Sequence, residues 1–508
     1  MIFRRGVIPD ATYTFKHALV QDAAYGTLLR RRRQQLHARI AEILEREFPE
    51  IMETQPETLA HHYSRAENPD KAARYLSLFA EKATAMYAHA EALGALDEAL
   101  GHAERLPDRE ADRRVVDLVL RQAESLHFLG LRQRIVDPLP QHRDRLERLG
   151  DPSLAGQYYL WLGFAHAWLG HRAEAARDLR RSLEEATRSG DEAIMGRTHR
   201  ALATECVYSG QPLDEAVAHG REAAFLLERT EDRFWFSQAL FTLSYCCIFA
   251  GEFDSALEAA SRLAAFGQDT GIRRAQTNAA MLAGLCHAMR GEAQAGIELC
   301  ERALELSPDD FGTAFVLACL GRACSEARDL VRATSVLEQA VQLADRVRSL
   351  QFCAWFRTML GEAYLLEDAI DEADRVVREA LAASSDIQFL ICVGLSKHLL
   401  GRIAKVQGAF SEAERQLNEA VSTFATLGAR FEHGRAELDL AALAHAQGNH
   451  GAVVSHLEKA YDLFQILRIP NYVERARELC NELGVPLRED RRRAPAAGRR
   501  PAVRTPPC

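Results

Sequence analysis

The sequence contains no apolar run approaching the roughly 20 residues that a bilayer-spanning helix needs, so no segment reads as a membrane span. It has no CxxC pair and no Cys/His cluster at zinc-finger spacing, although it carries 11 cysteines. Thiols scattered in this way, Cys246 and Cys247 among them, are expected to be reduced and buried in a cytoplasmic protein. Positive charge is not in excess either. The 63 Lys and Arg are outnumbered by 72 Asp and Glu, for a formal net charge of -9, so contact with nucleic acid or anionic lipid would need a local patch. The N-terminal "MIFRRGVIPD" lacks the apolar core of a signal peptide. No GxxxxGK[ST] occurs, so the backbone cradle and lysine of a phosphate loop have no representative. Strand-type alternation is absent over any useful length, and no nucleophile with its base and no convergent pair of carboxylates stands out. The expectation is a non-catalytic chain without metal or cofactor.

What is present is a period near forty, carried by small residues. In "YLWLGFAHAWLGHRAEAARDLRRSLEEA" Gly163 is followed by Gly170, Ala175, Leu179 and Ser182. The same frame returns at Ser244, Gly284, Gly361, Gly401 and Ala441, and more weakly at Ala80, Ala123, Ala203 and Gly321. Each unit reads as a helical hairpin: an apolar first helix, a turn at the second small residue, and a second helix with small residues at i, i+4 and i+7. Glycine suits the left-handed conformation that ends the first helix. One hairpin cannot bury its own apolar face, so successive units must stack into an all-α superhelix with a concave and a convex side. Pro138 and Pro140 interrupt the second helix of the unit at Ala123, and Tyr87, Arg328 and Asp368 stand where other units have the turn glycine.

This frame resembles the tetratricopeptide repeat, in the lengthened form found in large bacterial signalling regulators. The resemblance implies about ten hairpins over residues 51–487. It also implies that the first helix of each hairpin faces the concave groove, at positions three before, one after and four to five after the anchor. Those positions hold Phe164, Trp168, Tyr208, Phe241, Tyr245, Phe249, Met281, Leu285 and Met289, then Arg322, Glu326, Glu362, His398, Arg402 and Lys405, and Arg435, six before Ala441, is grouped with them. An aromatic and methionine-rich stretch thus gives way to a charged one. Such a surface suits a protein or peptide partner with apolar anchors and charged flanks. The alternative is that the lengthened helices bury these same positions in packing between repeats.

Residues 1–50 read differently. Two short extended pieces flank the turn "GVIPD", and Asp22 is placed to cap a helix through "AAYGTLLRRRRQQLHARIAEILERE". Phe15, His17, "LVQDAAYGTLL", Arg33, "LHARIAEILE" and "LAHHY" together resemble the region that follows the ATPase module in bacterial STAND-type signalling ATPases. Many of those carry a class III adenylate or guanylate cyclase domain. The resemblance implies a partial winged-helix element at the N-terminus and, at His17, a nucleotide-sensing role in an intact regulator; a packing or capping role is the alternative. Met1 then reads as an internal start. The run Arg30 to Arg33 fans out through most of a helical turn and cannot face one groove of DNA, which argues against nucleic acid. His61 and His62 are adjacent rather than three or four apart, which does not suit a metal pair. From residue 488 a basic tail rich in Pro, Ala and Arg has no apolar periodicity and is expected to be disordered. Cys508 is the last residue and lacks the tripeptide that prenylation requires.

The sequence therefore leads to an interaction scaffold, the sensor arm of a STAND ATPase or cyclase-linked signalling protein, with an ATPase or cyclase chain as a partner. A fragment of a LuxR-type transcriptional regulator and a sensor of a small-molecule effector are the alternatives.

Overall fold

The computed structural model describes residues 2–5, 12–15, 23, 25–86 and 88–484. His17, Asp22 and the tail from 488 lie outside the described residues. No described helix is long and apolar enough to cross a membrane. The chain divides into two compact units, Met1–Gly190 and Asp191–Cys508.

In the first unit, strands Ile2–Arg5 and Thr12–Phe15 pair antiparallel, with Ile2 opposite Phe15 and Arg5 opposite Thr12. The helix Arg30–Glu47 follows and packs on Pro56–Arg65. A half-buried polar cluster pins it there. The Glu45 carboxylate accepts from Tyr63 Oη, Tyr75 Oη and Lys71 Nζ, each at 2.5 Å. Burial alone would raise this carboxyl, but the hydrogen bonds from Lys71 and the two tyrosines outweigh it and hold the group at about 2. Helix pairs Pro69–Ala85 with His89–Ala103 and Pro152–Leu169 with Arg172–Ser189 flank a broken one. After Asp108–Phe128 the chain makes only the short helices Gln133–Val136 and Arg143–Leu149, joined by a 3-10 turn at Leu139–His142. Pro138 and Pro140 sit at this break because proline has no N–H to give to a continuing helix.

The described residues of the second unit run from the helix Glu192–Ser209 to Pro470–Glu482 as seven consecutive hairpins and a closing helix. The first helix of each pair is the inner one. Arg233–Ala250 buries 13 of its 18 residues, against 7 of 18 in the following Phe253–Thr270. Inner helices are therefore apolar on most sides, whereas outer ones keep one solvated face.

The small anchors let the two helices of a hairpin touch. A Cβ on Gly321 would stand 2.4 Å from Leu337, and one on Gly361 2.3 Å from Val377, each partner sixteen residues further on. Ser244 meets the same need differently, donating its hydroxyl to the Ala256 carbonyl at 2.9 Å across the pair. Arg328 and Asp368, in the place of turn glycines, still take the left-handed conformation, both with φ of 64°.

Candidate functional site

Phe164 and Trp168 belong to the first unit. Phe164 is buried against Trp161 and His127, and the Arg132 guanidinium lies over the Trp168 ring at 4.3 Å. The other candidate positions lie in the second unit, and there the inner helices meet across the superhelix. Tyr208 packs edge-on against Phe389 with ring centroids 4.9 Å apart, and its hydroxyl is 3.5 Å from that of Tyr245. Tyr245 and Phe249 pack against Trp355 at 5.9 and 5.2 Å, and Phe241 and Tyr245 both approach Phe315. Phe253 reaches Phe431, 5.4 Å away.

The concave face of this unit is thus no open trough. Tyr245, Phe249 and Met281 are less than a tenth exposed, while Tyr208, Phe241 and Met289 are half-buried. Polar contacts close the same seam. Arg430 Nη2 donates to both Asp214 oxygens at 2.9 Å, Asn471 Nδ2 donates to the Arg290 carbonyl at 3.1 Å, and Tyr472 Oη donates to Glu326 at 3.2 Å. Leu390 sits against Gly210 and Leu467 against Gly251. Helices this apolar leave more surface than nearest neighbours cover, and curling back on themselves buries the remainder.

Beyond the aromatic cluster lies a charged one, and it unites most of the charged candidates. Glu362 is 9% exposed and accepts from three guanidiniums: Arg322 at 2.5 Å, Arg402 at 2.9 Å, and Arg435. Arg322 also holds Glu326 at 2.6 Å, Arg435 holds Glu432 at 2.8 Å, and His398 Nε2 meets Asp439 at 2.7 Å. Burial by itself would raise the Glu362 carboxyl; Arg435, Arg322 and Arg402 overcome this and hold it well below the usual carboxylate range. Lys405, half-buried on the same helix as Arg402, takes no part in the network.

Two cavities flank this cluster and share Glu362 and Arg435 as their common wall. One is an apolar cleft among Phe249, Met289, Trp355, Met359 and Phe431, with about 40 Å³ of free space, enough for a few water molecules. Arg322 lines it, and its buried Nε has no hydrogen-bond partner. The other is a polar cavity of about 320 Å³, lined by Arg328, Arg402, Asp439, Tyr472 and Arg475 among others. Trp355, Phe315 and Arg435 stand six residues before their anchors. That position, unused for the aromatics in the sequence reading, is the signal that would have found Phe315 and Trp355.

The ten described cysteines are buried thiols, and burial pushes eight of them up, Cys247 to about 12, which keeps those eight protonated and poorly nucleophilic.

No protein-family model matches the chain, and comparison with curated proteins finds no match. Among solved structures the chain is similar to a Rap protein complexed with Competence and Sporulation Factor, at 12% identity and a TM-score of 0.55, over 70% of this chain and 98% of that one. The fold is a tetratricopeptide-type helical solenoid. Weaker similarity reaches a STAND protein with a tetratricopeptide repeat sensor from Pyrococcus horikoshii, at 12% identity and a TM-score of 0.46. It covers 74% of this chain but only 55% of that one. The Rap conjugation gene regulator of plasmid pLS20, in complex with the Phr* peptide, is matched at 13% identity and a TM-score of 0.47, over 72% of this chain and 93% of that one.

Proposed function

We propose that the chain is a non-catalytic sensor and interaction scaffold, and that the interior of its second unit receives a peptide or short protein segment. The observation that carries this reading is the pair of cavities divided by Glu362 and Arg435. The arginine-lined cavity of about 320 Å³ suits the polar part of such a ligand, and the apolar cleft beside it, with about 40 Å³ free, would take an apolar anchor by opening between its side chains. The orphaned Arg322 Nε offers such a ligand a buried donor. Similarity in fold to a Rap protein that is complexed with Competence and Sporulation Factor supports the same reading. In a cytoplasmic signalling system the bound state would bias an ATPase or cyclase carried by another chain or segment.

A peptide phage library selected against the full chain tests the proposal. Enriched peptides are expected to bind at least about tenfold more weakly to Met359→Trp, which fills the cleft, and to Arg402→Ala, which opens the polar wall, while circular dichroism shows both variants still helical. Enrichment of nothing, or of peptides indifferent to both substitutions, would overturn it.

A further inference from the structure

The helix Arg30–Glu47 in the first unit presents a second surface. Its inner face is fixed by the Glu45 cluster and by a chain of hydrogen bonds from Tyr25 Oη to His37 Nε2 at 2.8 Å and from His37 Nδ1 to His62 Nδ1 at 2.8 Å. On an adjoining side Leu29, Leu36 and Ile43 recur every seven residues, with Ile40 between the last two; Leu29 is 81% exposed, Leu36 36%, Ile40 40% and Ile43 38%. Beside this stripe runs a row of exposed arginines with the same period, Arg32, Arg39 and Arg46. Arg46 pairs with Glu47 at its own end of the helix, whereas among the described residues Arg32 and Arg39 have no carboxylate in ion-pair contact.

In a heptad register Leu29, at the N-cap, with Leu36 and Ile43 falls at d and Ile40 at a, while Arg33 and Glu47 take the other a places and arginine fills three successive g positions, so the apolar face is a short one centred on Leu36, Ile40 and Ile43. We infer that this face docks an α-helix of another protein, one with its own apolar stripe and with Glu or Asp along the edge that meets the arginines. A second copy of this chain does not fit. An antiparallel pair would set the two arginine rows against each other, and a parallel pair would set them against Arg30, His37 and Leu44, which offer no carboxylate. A lipid surface fits less well too, because the arginines lie along one edge only. One charged edge fixes direction and register, which a fluid headgroup layer does not read.

The probe is a labelled synthetic helix of about three heptads with Leu or Ile at a and d and Glu at e and g, titrated against the full chain by fluorescence anisotropy. Binding is expected, and Arg32→Glu with Arg39→Glu should weaken it at least about tenfold. A sister peptide carrying Lys in place of Glu should ignore the native chain and bind that double variant. All substituted sites are exposed, and circular dichroism checks that helicity is kept. No binding of the Glu peptide, or binding unchanged by the charge reversal, overturns the inference. So does binding of phosphatidylglycerol vesicles, lost in the same variant, when the peptide does not bind.

Discussion

At the scale of single residues, the burial of Glu362 among Arg322, Arg402 and Arg435 makes it the residue on which most charge depends. Removing one partner from a buried ionic cluster leaves the others uncompensated, which costs about 3–5 kcal/mol. Glu362→Gln is therefore expected to lower the urea midpoint of unfolding more than any single arginine substitution around it. The histidine pairs give a pH signature. His199 and His219 meet at 2.8 Å through their Nδ1 atoms, and burial followed by the neighbouring His219 pulls His199 from 6.5 down to about 4; burial, then His37 and His61, do the same to His62. A folded pKa below the unfolded one means the folded state resists protonation. These pairs stabilise fully above pH 6.5 and lose that contribution as pH falls towards 4. Glu45 and Glu437, both held at about 2, keep theirs until pH falls below 4.5, so the window between pH 6.5 and 4.5 belongs to the histidines. Thermal midpoints should drop across that window in the native chain and drop less in His62→Gln with His199→Gln.

At the scale of the element, the hairpins were legible because their determinants are local. A small residue sixteen positions before Leu337 or Val377 says where two helices touch, and Pro138 with Pro140 says where one fails. Gly361→Ala is expected to cost about 1–3 kcal/mol, since its methyl would meet Val377 Cγ2, and chemical denaturation measures it. The turns carry the opposite opportunity. Asp368 and Gln388 hold left-handed φ of 64° and 56° at the ends of their helices, a conformation that costs a side chain about 1 kcal/mol or more. Asp368→Gly and Gln388→Gly should each raise the urea midpoint, and together they should add. The sequence marks Asp368 only as a missing glycine; nothing local says whether the turn changes or the residue endures it.

At the scale of the whole molecule, legibility ends where contacts stop being local. Arg322, Glu362, Arg402 and Arg435 align on inner helices in the sequence, yet the convergence of the three arginines on the Glu362 carboxylate depends on the pitch of the second unit. That Tyr208 finds Phe389, or that Tyr245 and Phe249 find Trp355, follows from the same curvature, to which no single repeat commits. The seam itself can be tested. Leu390→Glu with Leu467→Glu places charge where the turns of the superhelix meet at Gly210 and Gly251. Small-angle scattering should show a larger radius of gyration, and the thiols of Cys246 and Cys392 should react faster with a thiol reagent. An unchanged radius would mean that the aromatic cluster alone holds the closure.

The closed seam also bears on how the chain is made. Asp214 leaves the ribosome 216 residues ahead of Arg430, its partner, a wait of roughly 10–40 s at bacterial or eukaryotic rates of synthesis. Each hairpin can form as it emerges, but Tyr208 and Phe249 wait for Phe389 and Trp355, which arrive only with the last third of the polypeptide. The half-made chain, rather than the finished one, is where this architecture is open to aggregation.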